Sequence, residues 1–422
     1  MLAVRLQYLL LIACVLPAGC AHRNRTAESS PVTAGLNTRD LIDPNSQIEY
    51  ERRTNTASLV HQAERIREMT KPATPPPKRS VLCLSGGGSF GAYSAGILNG
   101  WTARGDRPEF AVVTGISTGA LCAPCAFLGP RYDAELKRFF TTSKTRDIYK
   151  LKPIRGLMSE SMADNSPLAR QMDDFFTPQV VAEIAIEHSK GRRLFVGTTE
   201  LEGKRFVMWN IGEIACRGRP QDTELIKQIL LGSSAIPGFF PAAHIPVEVD
   251  GRRYIERHVD GGVSQALFFQ PPYVTPDLDK DKDANSLWGT DVNVVIAGKL
   301  YADPETMKER ALSIGGKSVS TILYAQTRGD LVRLWTASQL SGMDFRMTAI
   351  PAEFQAPSSA TDFDPVQMTR IYNEGFRLAR DGTAWRKTPP GVEFGETLLS
   401  RDGTELTVQP RGPAMSRPQS RP

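Results

Sequence analysis

The chain has 422 residues, of which 41% are hydrophobic and 23% charged, an ordinary globular composition with material for a large core. That length allows two or three domains, and a single domain of about 300 residues with tails fits as well. A net charge of +5 is too weakly basic to argue for a nucleic-acid partner, though it is compatible with an anionic lipid surface.

In chain order, Arg5 precedes an apolar run, Leu6 to Leu16, followed by Pro-Ala-Gly-Cys at 17–20. The run is too short to span a bilayer and has the layout of a secretory signal over residues 1–19. Ala18 and Gly19 directly before Cys20 resemble the lipobox of bacterial lipoproteins, with Pro17 where that motif usually has Leu. The resemblance implies cleavage before Cys20, lipid on that residue and attachment to a membrane through several acyl chains. Ala21 after the Cys implies an outer-membrane address facing the periplasm of a bacterial envelope. A plain signal peptide is the alternative.

Residues 20–79 read as a polar tether, a surface helix at 46–70 and a Pro-rich spacer, KPATPPPKR. The core then begins abruptly with a buried-strand pattern, SVLCLS at 80–85. Segment 90–104 reads as a helix and EFAVVTGIS at 109–117 as a second strand. TGALCAPCAFLG opens a second helix, which Pro124 caps or kinks. Further strands are expected at 193–201, 205–211 and 292–298, and long helices near 315–340 and 364–381. Strands alternating with helices give an α/β class: a mainly parallel central sheet flanked by helices on both faces. After residue 386 the chain is rich in Gly, Pro and Arg and reads as a poorly ordered tail.

Setting aside Cys14 and Cys20 leaves Cys83, Cys122, Cys125 and Cys216. Cys122 and Cys125 have CxxC spacing, but a redox or metal site needs a second pair or the right fold around it, so small core residues are expected. A disulfide stays open in an oxidising compartment. Asp277, Asp279, Asp281 and Asp283 are spaced like a calcium loop. Lys282 stands where the tight-turn Gly belongs and Trp288 where the bidentate Glu belongs, which favours a solvated charged loop. No metal and no cofactor is expected. Arg192, Arg193, Arg252 and Arg253 suit lipid phosphates, with a solvated charged face as the default. Phe239, Phe240, Phe268 and Phe269 suit an acyl-chain pocket or plain core packing.

Three Gly-rich segments carry the chemistry. LSGGGSFGAYSAG at 84–96 has glycines at 86, 88 and 91, the spacing of a dinucleotide loop. Gly115-Ile-Ser117-Thr-Gly119 is a GxSxG at a strand-to-helix junction, where a nucleophilic Ser projects from a sharp turn that its glycines permit. Asp260-Gly261-Gly262 is a tight turn that presents one carboxylate at a strand end. Ser needs a base to take its proton. The last His, His258, shares a strand face with Asp260, and the order Ser, acid, His is not excluded. The Asp260 carboxylate can itself be the base, since desolvation raises its basicity.

Together, GGG at 86–88, GISTG at 115–119 and DGG at 260–262 resemble the patatin-like phospholipases, which use a Ser–Asp dyad without His. GSSAIPGFFPA at 232–242 and DNSPL at 164–168 fit the same resemblance. It implies a patatin-like fold over a hydrolase domain at 80–385, with residues 386–422 as the tail. It implies Ser117 as nucleophile, Asp260 as base, and the N–H groups of Gly86, Gly87 and Gly88 as the oxyanion hole. Gly115 and Gly119 would shape the elbow, Gly261 and Gly262 the turn after the acid. The substrate implied is a phospholipid, lysophospholipid or other acyl ester. Phe90 stands where the family usually has Arg or Lys, which suggests a more apolar mouth. A lipid-binding or scaffold lipoprotein without turnover is the second class. A nucleotide-binding oxidoreductase is disfavoured, because Glu109 sits at the start of the second strand rather than its end.

Overall fold

The computed structural model describes residues 76–152, 160–269, 287–300, 311–357 and 359–390, with short pieces at 26–27, 65, 67–69, 71–72, 307–308, 397–399 and 405–407. The signal and Cys20, the loop at 276–285, and most of the 46–70 helix and of the tail after 386 lie outside the described residues.

In chain order the elements are β1 (Ser80–Leu84), α1 (Gly91–Arg104), β2 (Val112–Ile116), α2 (Thr118–Leu128), α3 (Asp133–Thr142), α4 (Ser166–Phe175) and α5 (Pro178–Ser189). There follow β3 (Arg193–Glu200), β4 (Arg205–Asn210), α6 (Pro220–Ser233), β5 (Ala243–Val249), β6 (Arg252–Asp260), β7 (Asp291–Lys299), α7 (Ala311–Leu340), β8 (Asp344–Ile350) and α8 (Pro365–Arg380). Short helices at Thr145–Ile148 and Ile211–Cys216 complete the set used below.

Eight strands form one mixed sheet, mainly parallel: β8, β7, β1, β2 and β3 lie side by side and run the same way. β1 is buried at all five positions, as expected of a central parallel strand covered on both faces. Alternate side chains feed two cores. Leu82 and Leu84 of β1, Val113 of β2 and Leu194 and Val196 of β3 pack with α1, α2 and α8. Val81, Cys83, Val112, Ile116 and Phe195 pack on the other face with Leu331, Leu334 and Trp335 of α7. On the first face Gly96 and Gly100 let the α1 backbone press against Tyr372 and Phe376 of α8.

β3 organises the functional end of the sheet. One of its edges pairs with β4, antiparallel, from Phe195 to Glu200. The other edge is shared. β2 occupies it up to the pair Ile116–Gly197, and β6 enters from the opposite direction with the pair Asp260–Thr198. Ile116 and Asp260 therefore face successive residues of one strand. The β5–β6 hairpin turns at Asp250-Gly251, both with positive φ (51° and 72°), the Asp-Gly signature of a tight hairpin turn. β5 and β8 are absent from the strands expected from the sequence, and of β6 only its end at His258–Asp260 was expected. Pro246 argues against a strand in the β5 sequence, although β5 (AHIPVEV) and β8 (DFRMTAI) both alternate apolar with other residues.

α2 continues unbroken through Pro124 to Leu128, so the proline neither caps nor ends it; its missing N–H leaves the Ala120 carbonyl without the usual partner. Cys83, Cys122 and Cys125 are buried and unpaired, and burial pushes the Cys83 and Cys125 thiols up to about 12. Arg192 departs from the solvated face expected of it. It is buried, donates to the carbonyls of Phe110 (2.8 Å) and Phe127 (2.6 Å), and pairs with Glu187 at 2.8 Å.

Candidate active site

Ser117 is the single residue between β2 and α2. Its backbone is forced to φ 54°, ψ −127°, a region costing about 1–3 kcal/mol for a residue with a side chain. Close packing holds it there. Gly119, in the first turn of α2, lies against the end of β1, where an added Cβ would stand 2.4 Å from the Leu84 carbonyl oxygen. Gly115 occupies the fourth position of β2, beneath the Gly119 carbonyl. The Ser117 N–H donates to Ser233 Oγ (2.9 Å), and the Ser233 hydroxyl donates onward to the Gly197 carbonyl (2.7 Å). Ser233, at the end of α6 and fully buried, thus ties the elbow to the strand opposite it.

The Gly-rich loop lies alongside. An added Cβ on Gly86 would stand 2.9 Å from Ser117 Cβ and 3.5 Å from its Oγ. On Gly87 it would stand 1.8 Å from the Ala297 carbonyl oxygen, so only glycine fits there. Gly88 has φ 55°. Two hydroxyls pin this loop. Ser85 Oγ accepts from the Ala297 N–H (2.9 Å) and donates to the Gly86 carbonyl (2.9 Å), and Thr118 Oγ1 donates to the Gly88 carbonyl (2.8 Å). Among the described residues the N–H groups of Gly86, Gly87, Gly88 and Thr118 have no acceptor. Of these, Gly86 lies beside the Ser117 side chain and Thr118 opens α2, where the helix dipole favours negative charge. Phe90 is half-buried and packs against the main core at the start of α1 rather than standing free at a mouth.

Asp260 ends β6 and is 6% exposed. Its Oδ1 accepts from the Gly262 N–H at 2.8 Å, which shapes the turn Gly261–Val263. Gly261 sits between the Gly197 carbonyl and Ile116. Burial raises the Asp260 carboxyl to about 6, against the lowering effects of a side-chain hydrogen bond with Ser117 and of the Gly262 N–H. The segment after the turn is clamped by Asp330 of α7, whose buried carboxylate accepts from the N–H groups of Ala266 (2.7 Å) and Leu267 (3.2 Å). The three Gly-rich segments, far apart in sequence, are thus brought to one end of the sheet. Sequence reasoning did not find Ser233 or Asp330. Ser233 lies in the GSSAIPGFFPA block, but nothing in the block singles it out from Ser234, and Asp330 sits in a helix with no motif.

His258 is held elsewhere. Its ring is fully buried, with Nδ1 2.9 Å from Thr198 Oγ1 and Nε2 3.1 Å from Glu256 Oε2. Trp209 Nε1 donates to the same Thr198 hydroxyl at 2.8 Å. Burial pushes the imidazole below its usual range, so it is neutral and committed to this network.

The fold and site define an α/β domain with an elbow serine and a buried carboxylate at the end of a mainly parallel sheet. The family model described as patatin-like phospholipase matches residues 82–273, and the chain carries a patatin-like phospholipase domain there. Two patatin-like phospholipase domain-containing proteins of Cryptococcus neoformans var. neoformans serotype D, strains B-3501A and JEC21, are each 38% identical over 90 residues. That stretch spans 21% of this chain and only 9% of either relative. Among solved structures, VipD from Legionella pneumophila aligns with 11% identity and a TM-score of 0.34, covering 73% of this chain and 67% of that one.

Proposed function

We propose that this chain is a serine lipid acyl hydrolase in which Ser117 and Asp260 act as a dyad on phospholipids or lysophospholipids. The family match supports the reaction class. The observation that carries the dyad is a buried carboxylate, engaged with Ser117 and lifted to about 6 with no imidazole between them. A base of that strength is ionised at neutral pH and still close enough to it to accept a proton.

Asp260 takes the Ser117 proton as Oγ attacks the ester carbonyl. The oxyanion forms beside the open N–H groups of Gly86, Gly87 and Gly88, each such donor contributing about 3–4 kcal/mol in the transition state. Collapse expels the alcohol, which leaves with the proton held by Asp260. Water, deprotonated by Asp260, then attacks the acyl-enzyme and releases the fatty acid and Ser117. The test is labelling with a fluorophosphonate: wild type is labelled and hydrolyses phospholipid, and Ser117→Ala does neither. A folded wild type that resists the label sinks the reading and leaves lipid binding without turnover.

For residues 1–79 we propose a signal followed by a lipidated tether, which places the enzyme at a bacterial outer membrane. Support is the Ala18-Gly19-Cys20 segment after an apolar run. Radiolabelled palmitate should enter the wild type and not Cys20→Ala.

A further inference from the structure

α7 is packed over one half of its length and bare over the other. From Arg328 onward it is tied down. Arg328 donates to the Leu300 carbonyl (2.6 Å), Asp330 holds the segment after the Asp260 turn, and Leu331, Leu334 and Trp335 enter the second core. Between Ile314 and Ile322 no described side chain is buried, with Ile314 46% and Ile322 60% exposed. α7 leaves the C-terminal end of β7 and returns to the start of β8, which runs parallel to β7. The helix is therefore antiparallel to these strands, and its first half lies at the Ser117 end of the sheet. Leu323 marks the join: its Cδ2 stands 3.4 Å from where a Cβ on Gly262 would be, in the turn that follows Asp260. Ile314, Ser318, Thr321, Ile322 and Ala325 are linked by steps of three and four residues and share the exposed face. Its two hydroxyls are turned inward: Ser318 Oγ donates to the Ile314 carbonyl (2.9 Å) and Thr321 Oγ1 to the Lys317 carbonyl (2.8 Å). Their polarity is met within the helix and needs no water. From Ala311 to Gly329 the sequence holds Lys317 and Arg328 and no carboxylate.

We propose that this face of α7 docks the protein on a phospholipid bilayer that carries anionic lipid, a proposal that rests on the reading of phospholipids as substrate. The helix lies in the headgroup layer, Ile314 and Ile322 toward the acyl chains and Lys317 reaching up to the phosphates. Among the described residues no helix is long and apolar enough to cross a membrane, so the contact is one of lying on the surface. A negatively charged lipid surface fits a face that offers apolar carbon and a cation but no acid. A second copy of this chain fits poorly. The stretch from Ile314 to Ala325 presents about 18 Å by 10 Å of helix, far below the roughly 800 Å² per partner of a stable protein interface. Docking there brings the turn after Asp260 to the lipid surface, where the ester is.

The experiment puts the photocrosslinker p-benzoylphenylalanine in place of Ile322 in the full chain and irradiates it on vesicles of phosphatidylethanolamine and phosphatidylglycerol. The control carries it in place of Ser189, exposed at the end of α5 and at the opposite end of the sheet. A lipid adduct should form from the first site and not from the second. No adduct, equal adducts from both sites, or a protein–protein adduct in place of the lipid one overturns the proposal. Hydrolysis gives a second readout, with Ile322→Glu and Ile314→Glu each checked by circular dichroism. The ratio of the rate on vesicles to the rate on nitrophenyl acetate should fall about tenfold in either variant. A ratio unmoved in the folded variants overturns the proposal, and if one variant does not fold the other decides. Should wild type cleave neither substrate, the dyad reading fails on its own, and the crosslink alone decides the docking.

Discussion

Replacing Asp260 by Asn should make the protein more stable while silencing it, and only on one side of pH 6. Asp260 is 6% exposed and its carboxyl is lifted from 3.8 to about 6. A carboxyl whose folded value lies above its unfolded one favours the native state in its neutral form. That contribution is complete below about pH 3.8 and is lost as pH rises through about 6. The lift corresponds to about 3 kcal/mol of native stability that the wild type forgoes above pH 6. Asn has the same shape, its side-chain oxygen still accepts from the Gly262 N–H, and it never ionises. At pH 8 the variant should therefore melt higher by on the order of 6 °C, whereas at pH 4 the two proteins should melt together. Thermal unfolding followed by circular dichroism at pH 4, 6 and 8, at matched ionic strength, reads the gap. Other titrating groups are common to both proteins and cancel. A gap that is constant from pH 4 to 8, or that opens with the opposite sign, refutes the argument that Asp260 is held against its own charge. On the proposed dyad the same carboxyl should also set the rate: wild-type kcat/KM is expected to fall about tenfold per pH unit below about 6, because a protonated Asp260 accepts nothing from Ser117.

Other expectations follow from single contacts. Gly87→Ala drives a Cβ toward the Ala297 carbonyl, displaces the open N–H groups and should cost about 100-fold in kcat, with the melting curve showing that the fold survives. Ser233→Ala strands a buried N–H and a buried carbonyl; urea unfolding should show a loss of about 1–3 kcal/mol. His258→Gln breaks the Thr198–Glu256 network and should lower stability yet leave ester hydrolysis within a few-fold of wild type. A fall as deep as that of Ser117→Ala would restore a His-based triad.

How much of this was legible in the sequence depends on range. The elbow and the turn at 260–262 are local: a Ser with glycines two places either side, or a carboxylate before two glycines, announces a backbone geometry. Strands β1, β2, β3 and β7 show themselves as apolar runs because both their faces are buried. β5 and most of β6 stay hidden, since Tyr254, Ile255 and Val249 point to solvent, Pro246 masks the alternation of β5 and no apolar period marks β6. Asp330 and Ser233 act across long sequence separations on backbone groups that carry no residue identity. Arg192 is hidden for the same reason: besides Glu187 it binds the carbonyls of Phe110 and Phe127, which no pattern of charges shows.

The shared edge of β3 has a consequence for how this molecule tolerates change. Ile116, the residue before Ser117, and Asp260 are spaced by one step of a single strand, Gly197 to Thr198, with the ladder itself serving as the ruler. The β5–β6 hairpin touches that ruler only at His258–Asp260 and turns at its far end, Asp250-Gly251. Insertions at the exposed hairpin tip near Asp250 can therefore lengthen or reshape the arm while Asp260 keeps its place beside Ser117. The spacing of Ser117 and Asp260 is thereby insulated from an exposed tip of the surface that is free to vary.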